Sequence, residues 1–423
     1  MASYKELKEQ FVTGFSGSTK FDIGIICFFL PLSLLISSLI HNKPSLIYNF
    51  LLLVLPIILS VCWTDFTEHK LLIIIILVSF YRKSLVNPLT NKRPAFTFYN
   101  SICRYDFITY YRSLLLIATC VSILAVDFPI YPRRFVKTEI KGVSLMDIGT
   151  GCVLFSSAFV ARHTRGEQKI TQRIPGAFMA CLPLLVIGVG KFFAHTVVNY
   201  QEHVSEYGVH WNFFMSLGVV VLFSAVITLK KAQALTLAGI VMISYEVALR
   251  NGLEEYILNA PRDSFFSMNR EGICGCVGFF CIYQIGVGIK DYILVKDKEF
   301  ANMIKVFLVF ALLSAAVGNE SRRLNNLGYV LWVVSHNLFC MIAVWVVERM
   351  SKNQLRNVII DAINYNQLPY FMLSNLLTGA VNLSVQTIFT EDLLAFGIIC
   401  LYMFTACAAM WVLQVYKIKI KRW

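Results

Sequence analysis

Apolar runs of roughly twenty residues recur along the whole chain, and nothing else in the sequence restricts its fold so far. A helix needs about that length to cross the hydrocarbon core of a bilayer, and only helices or closed barrels satisfy their backbone polar groups there. About thirteen runs qualify, with approximate limits 22–40, 46–63, 66–82, 108–127, 144–161, 174–195, 211–229, 232–249, 272–289, 301–318, 328–347, 366–385 and 394–416. The third and the twelfth are the weakest. Hydrophobic residues make up 57% of the chain and charged ones only 15%, against about 25% charged in soluble domains. The fold class that follows is an all-α polytopic membrane protein, a bundle of about thirteen transmembrane helices. The connections are too short for a soluble domain and no internal period recurs, so residues 1–423 are expected to form one integral-membrane domain.

The amino-terminal MASYKELKEQFVTGFSGSTKF is too polar and too acidic for a signal peptide, so the first run is expected to direct insertion. Lys and Arg crowd the odd-numbered connections and the carboxyl-terminal tail. The positive-inside bias therefore places the amino terminus outside the cytosol and the carboxyl terminus inside it. The formal net charge of +13 does not point to nucleic acid, because the basic residues are scattered through short loops with no aromatic stacking platform. Anionic membrane lipid accounts for them. Of the 12 cysteines, most lie inside apolar runs without metal-ligand spacing, as Cys27, Cys120, Cys181 and Cys400 do, and Cys274 and Cys276 are too close for a CxxC pair. Packing is their expected role, and no metal is expected.

Five polar segments fall on the non-cytosolic face of this topology: QFVTG (Gln10 to Gly14), DFPIYPRRFVK, YQEHVSEYGVHWNFF (Tyr200 to Phe214), SMNREG (Ser267 to Gly272) and ESRRLNNLGY (Glu320 to Tyr329). The second is the first candidate for chemistry. Pro129 and Pro132 cannot continue a helix and bias the residues before them away from the α region, so the fourth span should end near Asp127 and Phe128. The chain can then fold back and bring Asp127 and Lys137 to one reacting centre, the carboxylate as general base and the ammonium as electrophile. Arg133 and Arg134 are candidate phosphate contacts. The plainer alternative makes Asp127 an interfacial residue and the three cations snorkelling anchors.

In the third segment Glu202, His203, Glu206 and His210 cluster. The two histidines share a face if the stretch is helical, although Gly208 puts that continuity in doubt and the HExxH spacing of a zinc site is missing. A polar substrate site built from His203, Glu206, His210 and Asn212 stands beside a structural network as a reading. Trp211, Phe213 and Phe214 either line an acyl-chain pocket or form an aromatic belt. Asn269, Arg270 and Glu271 precede an apolar run, where an N-cap and a first-turn carboxylate belong. Arg270 is also a candidate phosphate ligand, since its planar fork suits a phosphate better than hydrocarbon. The sequon Asn319-Glu320-Ser321 is expected to lie too near the membrane for glycosylation, and Asn382-Leu383-Ser384 falls inside a span.

The run AVDFPIYPRRFVK followed by SLMDIG, then YQEHVSEYGVHWNFF, NREGI, LGYVLW (Leu327 to Trp332) and NLLTGAVN (Asn375 to Asn382), in this order over nearly the whole chain, resembles the fungal GPI-anchored wall transfer proteins. These are the inositol acyltransferases of glycosylphosphatidylinositol anchor synthesis. The resemblance implies an enzyme of the endoplasmic reticulum membrane that moves a fatty acyl group, typically palmitoyl from palmitoyl-coenzyme A, to the inositol ring of glucosaminyl-phosphatidylinositol. Acyl-coenzyme A is then a co-substrate and no cofactor is implied. It also implies that Asp127 and Lys137 are catalytic, that the amino terminus is lumenal and the carboxyl terminus cytosolic, and that membrane lipid is the surrounding partner. A lipid transporter or scramblase, or a non-catalytic subunit of a lipid-biosynthesis complex, is the alternative. Transport would need paired intramembrane charges or matched broken helices, which the spans lack.

Overall fold

The computed structural model describes residues 4–40, 45–62, 106–161, 170–198, 204–227, 231–351, 355 and 357–420. Regular structure among them is helical, apart from an isolated bridge between Ser18 and Val143. Six helices are long and apolar enough to cross a membrane: Lys20–Ser38, Asp106–Ala125, Arg270–Ile293, Glu299–Val317, Leu327–Met350 and Asp392–Val415. Four shorter apolar helices, Leu46–Cys62, Leu145–Val160, Ile174–Gly190 and Phe213–Val226, stand where further spans were expected. Lys231–Ala248 and Gln367–Ser384 are helical as well, and the expected run 66–82 lies outside the described residues. The chain is thus a helical multi-pass membrane protein with six full-length candidate spans among the described residues, fewer than the about thirteen that apolar length alone suggests.

The helix ends follow local chemistry. Ser144 caps Leu145–Val160 by accepting from Asp147 N at 3.2 Å. Asn212 caps Phe213–Val226 by accepting from Phe214 N at 3.1 Å and Met215 N at 3.3 Å. Each satisfies amide groups that the first helical turn leaves without a partner. At the other end of a helix, Asp106–Ala125 tightens into consecutive turns at Asp127 and Phe128, whose amides reach back to the Leu124 and Ala125 carbonyls. Pro129 follows, as a helix stop requires.

Two compact units make up the chain, one of Met1–Thr19, Arg133–Ile342 and Trp423, the other of Lys20–Pro132 and Ala343–Arg422. In the first, Arg270–Ile293 is the central helix and packs against Leu145–Val160, Phe213–Val226 and Lys231–Ala248. Its buried core includes Phe135, Phe155, Phe279, Tyr283 and Tyr329. Glu299–Val317 instead exposes Leu308, Val309, Leu312 and Leu313, an uninterrupted apolar stripe suited to hydrocarbon.

In the second unit Asp106–Ala125 packs against Leu55–Cys62, Val358–Tyr365, Gln367–Ser384 and Asp392–Val415. Polar side chains cross-link these helices: Asn357 donates to Ser37 Oγ at 2.8 Å and Tyr402 donates to the Cys120 carbonyl at 3.1 Å. The tail folds back on the same unit, with the Asn366 side chain bonded to Ile418 O at 2.9 Å and Ile420 N at 3.0 Å.

Candidate functional site

Three of the polar segments, with YQEHVSEYGVHWNFF from Val204 onward and DFPIYPRRFVK from Arg133 onward, assemble at one end of the first unit. The Glu139 amide donates to Phe15 O at 3.1 Å, Ser18 N to Val143 O at 2.7 Å and Gly142 N to Glu320 O at 2.8 Å. Ser321 Oγ donates to Ile140 O. The 133–144 loop is therefore held between the amino-terminal segment and the 318–326 loop. Phe135 and Val136 are buried, which leaves the next residue, Lys137, half-exposed at the surface of the loop. Thr138 is the anchor behind it: its hydroxyl donates to the buried carboxylate of Asp147 at 2.9 Å, and its amide points to the same group at 3.3 Å.

Lys137 forms an ion pair with Glu206, which belongs to the single-turn helix Val204–Tyr207. Gly208 terminates that turn with a φ of 106°, and a Cβ there would fall 2.5 Å from Asn269 Cα. No side-chain-bearing residue fits, so the helix cannot run on to His210. A helix continuous from Val204 to His210 is accordingly not formed, and His203, the other half of the expected common face, lies outside the described residues. Glu206 also faces Arg322, whose Nη2 lies 3.6 Å from its Oε1. The Arg322 guanidinium is buried and stacks on Tyr207 at 4.8 Å and Phe279 at 5.0 Å. Burial works against its charge, and the neighbouring acidic side chains, Tyr207 and Tyr329 first and then Glu206 and Asp147, more than offset it, so its pKa lies above the ordinary value. Burial likewise pushes the Tyr207 hydroxyl up to about 12. Tyr207 therefore acts as a neutral hydroxyl, paired with Thr150 Oγ1 at 3.1 Å.

A second charged cluster adjoins. The Glu271 carboxylate is fully buried and is paired with Arg262, with Arg323 at 3.4 Å and with Arg270 at 4.0 Å. Three guanidinium groups around one carboxylate meet the condition for burying charge, which is pairing plus hydrogen bonding. Arg270 spends its donors on carbonyls, Nε on Ile257 O at 2.7 Å and Nη1 on Pro261 O at 3.2 Å and Ser267 O at 3.3 Å. That geometry holds loops together and leaves the expected phosphate contact with little of the fork. Asn269 precedes the helix as an N-cap should, but makes no capping bond. Its side chain bridges two loops instead, accepting from His210 N at 2.7 Å and donating to Phe265 O at 2.8 Å.

Of the remaining candidates, Arg133 stacks on Phe11 at 4.2 Å and Arg134 lies over Phe135 at 5.0 Å. His210 stacks on Phe265. Trp211 donates to Ser216 Oγ at 2.9 Å and lines an apolar cleft of about 330 Å³ together with Val220, Phe223, Ile273 and Phe280. A Cβ at residue 272 would fall 2.3 Å from Trp211 Cδ1, so only glycine lets the indole lie against that helix. Asn212 is committed to capping and to Gly188 O at 2.8 Å. Phe213 and Phe214 pack on each other and do not line the cleft.

Asp127 belongs to the second unit. It is half-buried just past the end of Asp106–Ala125 and accepts from Asn382 Nδ2 at 2.8 Å. Asn382 lies in the last turn of Gln367–Ser384.

Sequence reading placed none of Arg322, Arg323, Glu271, Asp147 or Asn382 among the site residues. The signal was present in part, since two adjacent arginines stand in an otherwise short loop and Asp147 interrupts the start of an apolar run.

The GWT1 family model matches residues 4–413 of the chain. Among curated proteins, the chain is 32% identical to the phosphatidylinositol-glycan biosynthesis class W protein of Dictyostelium discoideum, over 99% of both sequences. It is 32% identical to GPI-anchored wall transfer protein 1 of Candida albicans, again over 99% of both, and 34% identical to that of Emericella nidulans over 94% of this chain and 95% of the relative. The polar segments that build the charged clusters thus sit in a chain matched over nearly its whole length by these proteins, and it belongs to the GWT1 family.

Proposed function

We propose that the chain is an O-acyltransferase of the endoplasmic reticulum membrane that moves a palmitoyl or similar acyl group from acyl-coenzyme A to the inositol ring of glucosaminyl-phosphatidylinositol. Asp127 accepts the proton of the inositol hydroxyl as its oxygen bonds to the thioester carbonyl carbon, and Lys137 balances the charge that grows on the carbonyl oxygen. The carbon–sulfur bond then breaks and the proton passes to the coenzyme thiol, so no covalent enzyme intermediate is needed. The observation that carries this reading is that Asp127 and Lys137, the carboxylate and the ammonium of one motif, are each held by a polar partner, Asn382 and Glu206. Trp211 ties the polar loops to an apolar cleft of about 330 Å³, within the range of ligand pockets and of the right chemistry for part of a fatty chain. Lumenal loops, a lumenal amino terminus and a cytosolic carboxyl terminus complete the reading.

The test is product formation by purified protein in detergent or nanodiscs, supplied with palmitoyl-coenzyme A and glucosaminyl-phosphatidylinositol and followed by mass spectrometry. One added palmitoyl group on the lipid and release of free coenzyme A are expected. A protein that moves lipid without chemistry, or serves only as a subunit, leaves both masses unchanged and overturns the proposal.

A further inference from the structure

The base role of Asp127 leaves open what holds its carboxylate still. Asp127 follows the carboxyl end of Asp106–Ala125, and Asn382 lies in the last turn of Gln367–Ser384. The carboxyl ends of helices carry unpaired carbonyls and a partial negative charge, which attract cations and repel a carboxylate. A carboxylate in that setting needs a donor to hold it in one orientation. Asn382 supplies one, with Nδ2 2.8 Å from Asp127 Oδ2. The assignment of the amide nitrogen follows from chemistry, because an ionised carboxylate only accepts.

The placement of Asn382 is built rather than incidental. Ser374, Thr378 and Asn382 are spaced by four residues, so they form one stripe of the helix. Ser374 and Thr378 are buried, and this helix packs against Asp106–Ala125. The stripe is thus turned into the bundle, and its last residue arrives at the carboxylate. The same amide nitrogen is the atom that glycosylation of the Asn382-Leu383-Ser384 sequon would consume.

We infer that Asn382 is a positioning residue for acyl transfer, which fixes one oxygen of the Asp127 carboxylate so that the group meets the inositol hydroxyl in the geometry needed to take its proton. This rests on the proposed role of Asp127. Losing a hydrogen bond to a charged group typically corresponds to about a ten- to a hundredfold change. Asn382→Leu, similar in size and without a donor, and Asn382→Asp, isosteric but with an acceptor and a like charge in place of the donor, are expected to lower kcat by about that factor. The KM for palmitoyl-coenzyme A stays within about twofold, because neither variant touches the acyl cleft. Asn382→Asp should be at least as slow as Asn382→Leu, the reverse of the order expected if the asparagine only fills space. In an Asp127→Asn background neither change should slow the enzyme much further, since both act through one carboxylate.

Steady-state acyl transfer at matched folded protein concentration reads all of these. Either Asn382 variant within about threefold of wild type, a loss confined to KM, or a further loss of about tenfold in the Asp127→Asn background overturns the inference. If Asn382→Leu does not fold, the isosteric Asn382→Asp carries the test alone. The failure of the base role looks different: Asp127→Asn itself then keeps more than about a third of the wild-type rate, whereas an inactive Asp127→Asn beside a normal Asn382→Leu removes only the role of Asn382.

Discussion

The loss of Glu206 should be felt in the first unit, and its neighbours set the size of the effect. It faces two cations of unequal exposure. Lys137 is 36% exposed and can be taken over by water, whereas Arg322 is 5% exposed and cannot. At 3.6 Å the Glu206–Arg322 attraction is about 5 kcal/mol for an effective dielectric of about 20. Removing one member of a buried pair costs about 3–5 kcal/mol, because the other charge is stranded. Glu206 is itself 20% exposed and Asp147 still acts on Arg322, so about 2–4 kcal/mol is the expected cost of Glu206→Gln. For a unit of roughly 150–250 residues this lowers the thermal midpoint by about 5–15 °C. Arg322→Met removes the buried charge and keeps much of the packing on Tyr207 and Phe279. The double variant Glu206→Gln/Arg322→Met should therefore be more stable than Glu206→Gln alone, as buried pairs replaced by apolar groups often are. Unfolding of purified protein in detergent, followed by tryptophan fluorescence, measures both. A double variant that melts below Glu206→Gln, or a Glu206→Gln protein within about 2 °C of wild type, would show that stranding the Arg322 charge is not what makes the loss of Glu206 costly.

Three further outcomes follow from the same geometry. Lys137→Arg should lose most turnover with little change in apparent affinity, because a planar guanidinium cannot place its charge where a compact ammonium does, while Arg133→Lys should be milder; a Lys137→Arg enzyme within about threefold of wild type would leave Lys137 as a lipid anchor. Single cysteines in the connections holding Lys137, Glu206 and Asn269 should label from the face opposite a cysteine in the 417–423 tail, and labelling of the tail and any of the three from one side of sealed vesicles contradicts the topology. Trp211→Ala opens the apolar cleft and should raise KM for palmitoyl-coenzyme A by about ten- to a hundredfold while affecting a short-chain acyl donor much less, and equal effects on both donors would remove the cleft from the acyl path.

Much of the membrane character was legible without coordinates. The runs 22–40 and 108–127 correspond to Lys20–Ser38 and Asp106–Ala125, and the end expected near Asp127 and Phe128 occurs at the turns that precede Pro129. Within the first unit, the described parts of the polar segments are bonded to one another, DFPIYPRRFVK from Arg133 onward among them. Individual roles were less legible. Asn269 sits where an N-cap belongs, yet His210 N and Phe265 O use its side chain. Arg270 has the fork of a phosphate ligand, yet local carbonyls occupy it. Residue type states what a side chain can bind, and the nearest competing partner decides what it does bind.

Backbone satisfaction in hydrocarbon is a local requirement, met within each helix, so the length and apolarity of a run suffice to reveal it. For the same reason the proline-broken connection carrying Asp127 and Lys137 could be read from the sequence alone. Pairing between loops is a different kind of property. Glu206 reaches Lys137 across 69 residues and Asn382 reaches Asp127 across 255, and no periodicity spans such distances. Those contacts exist because, within each unit, the helices between them pack in one arrangement, which brings chosen loop ends together and buries Arg322 and Glu271 among opposite charges. The tertiary structure alone decided which polar groups meet, since the cost of burying each depends on where its partner arrives.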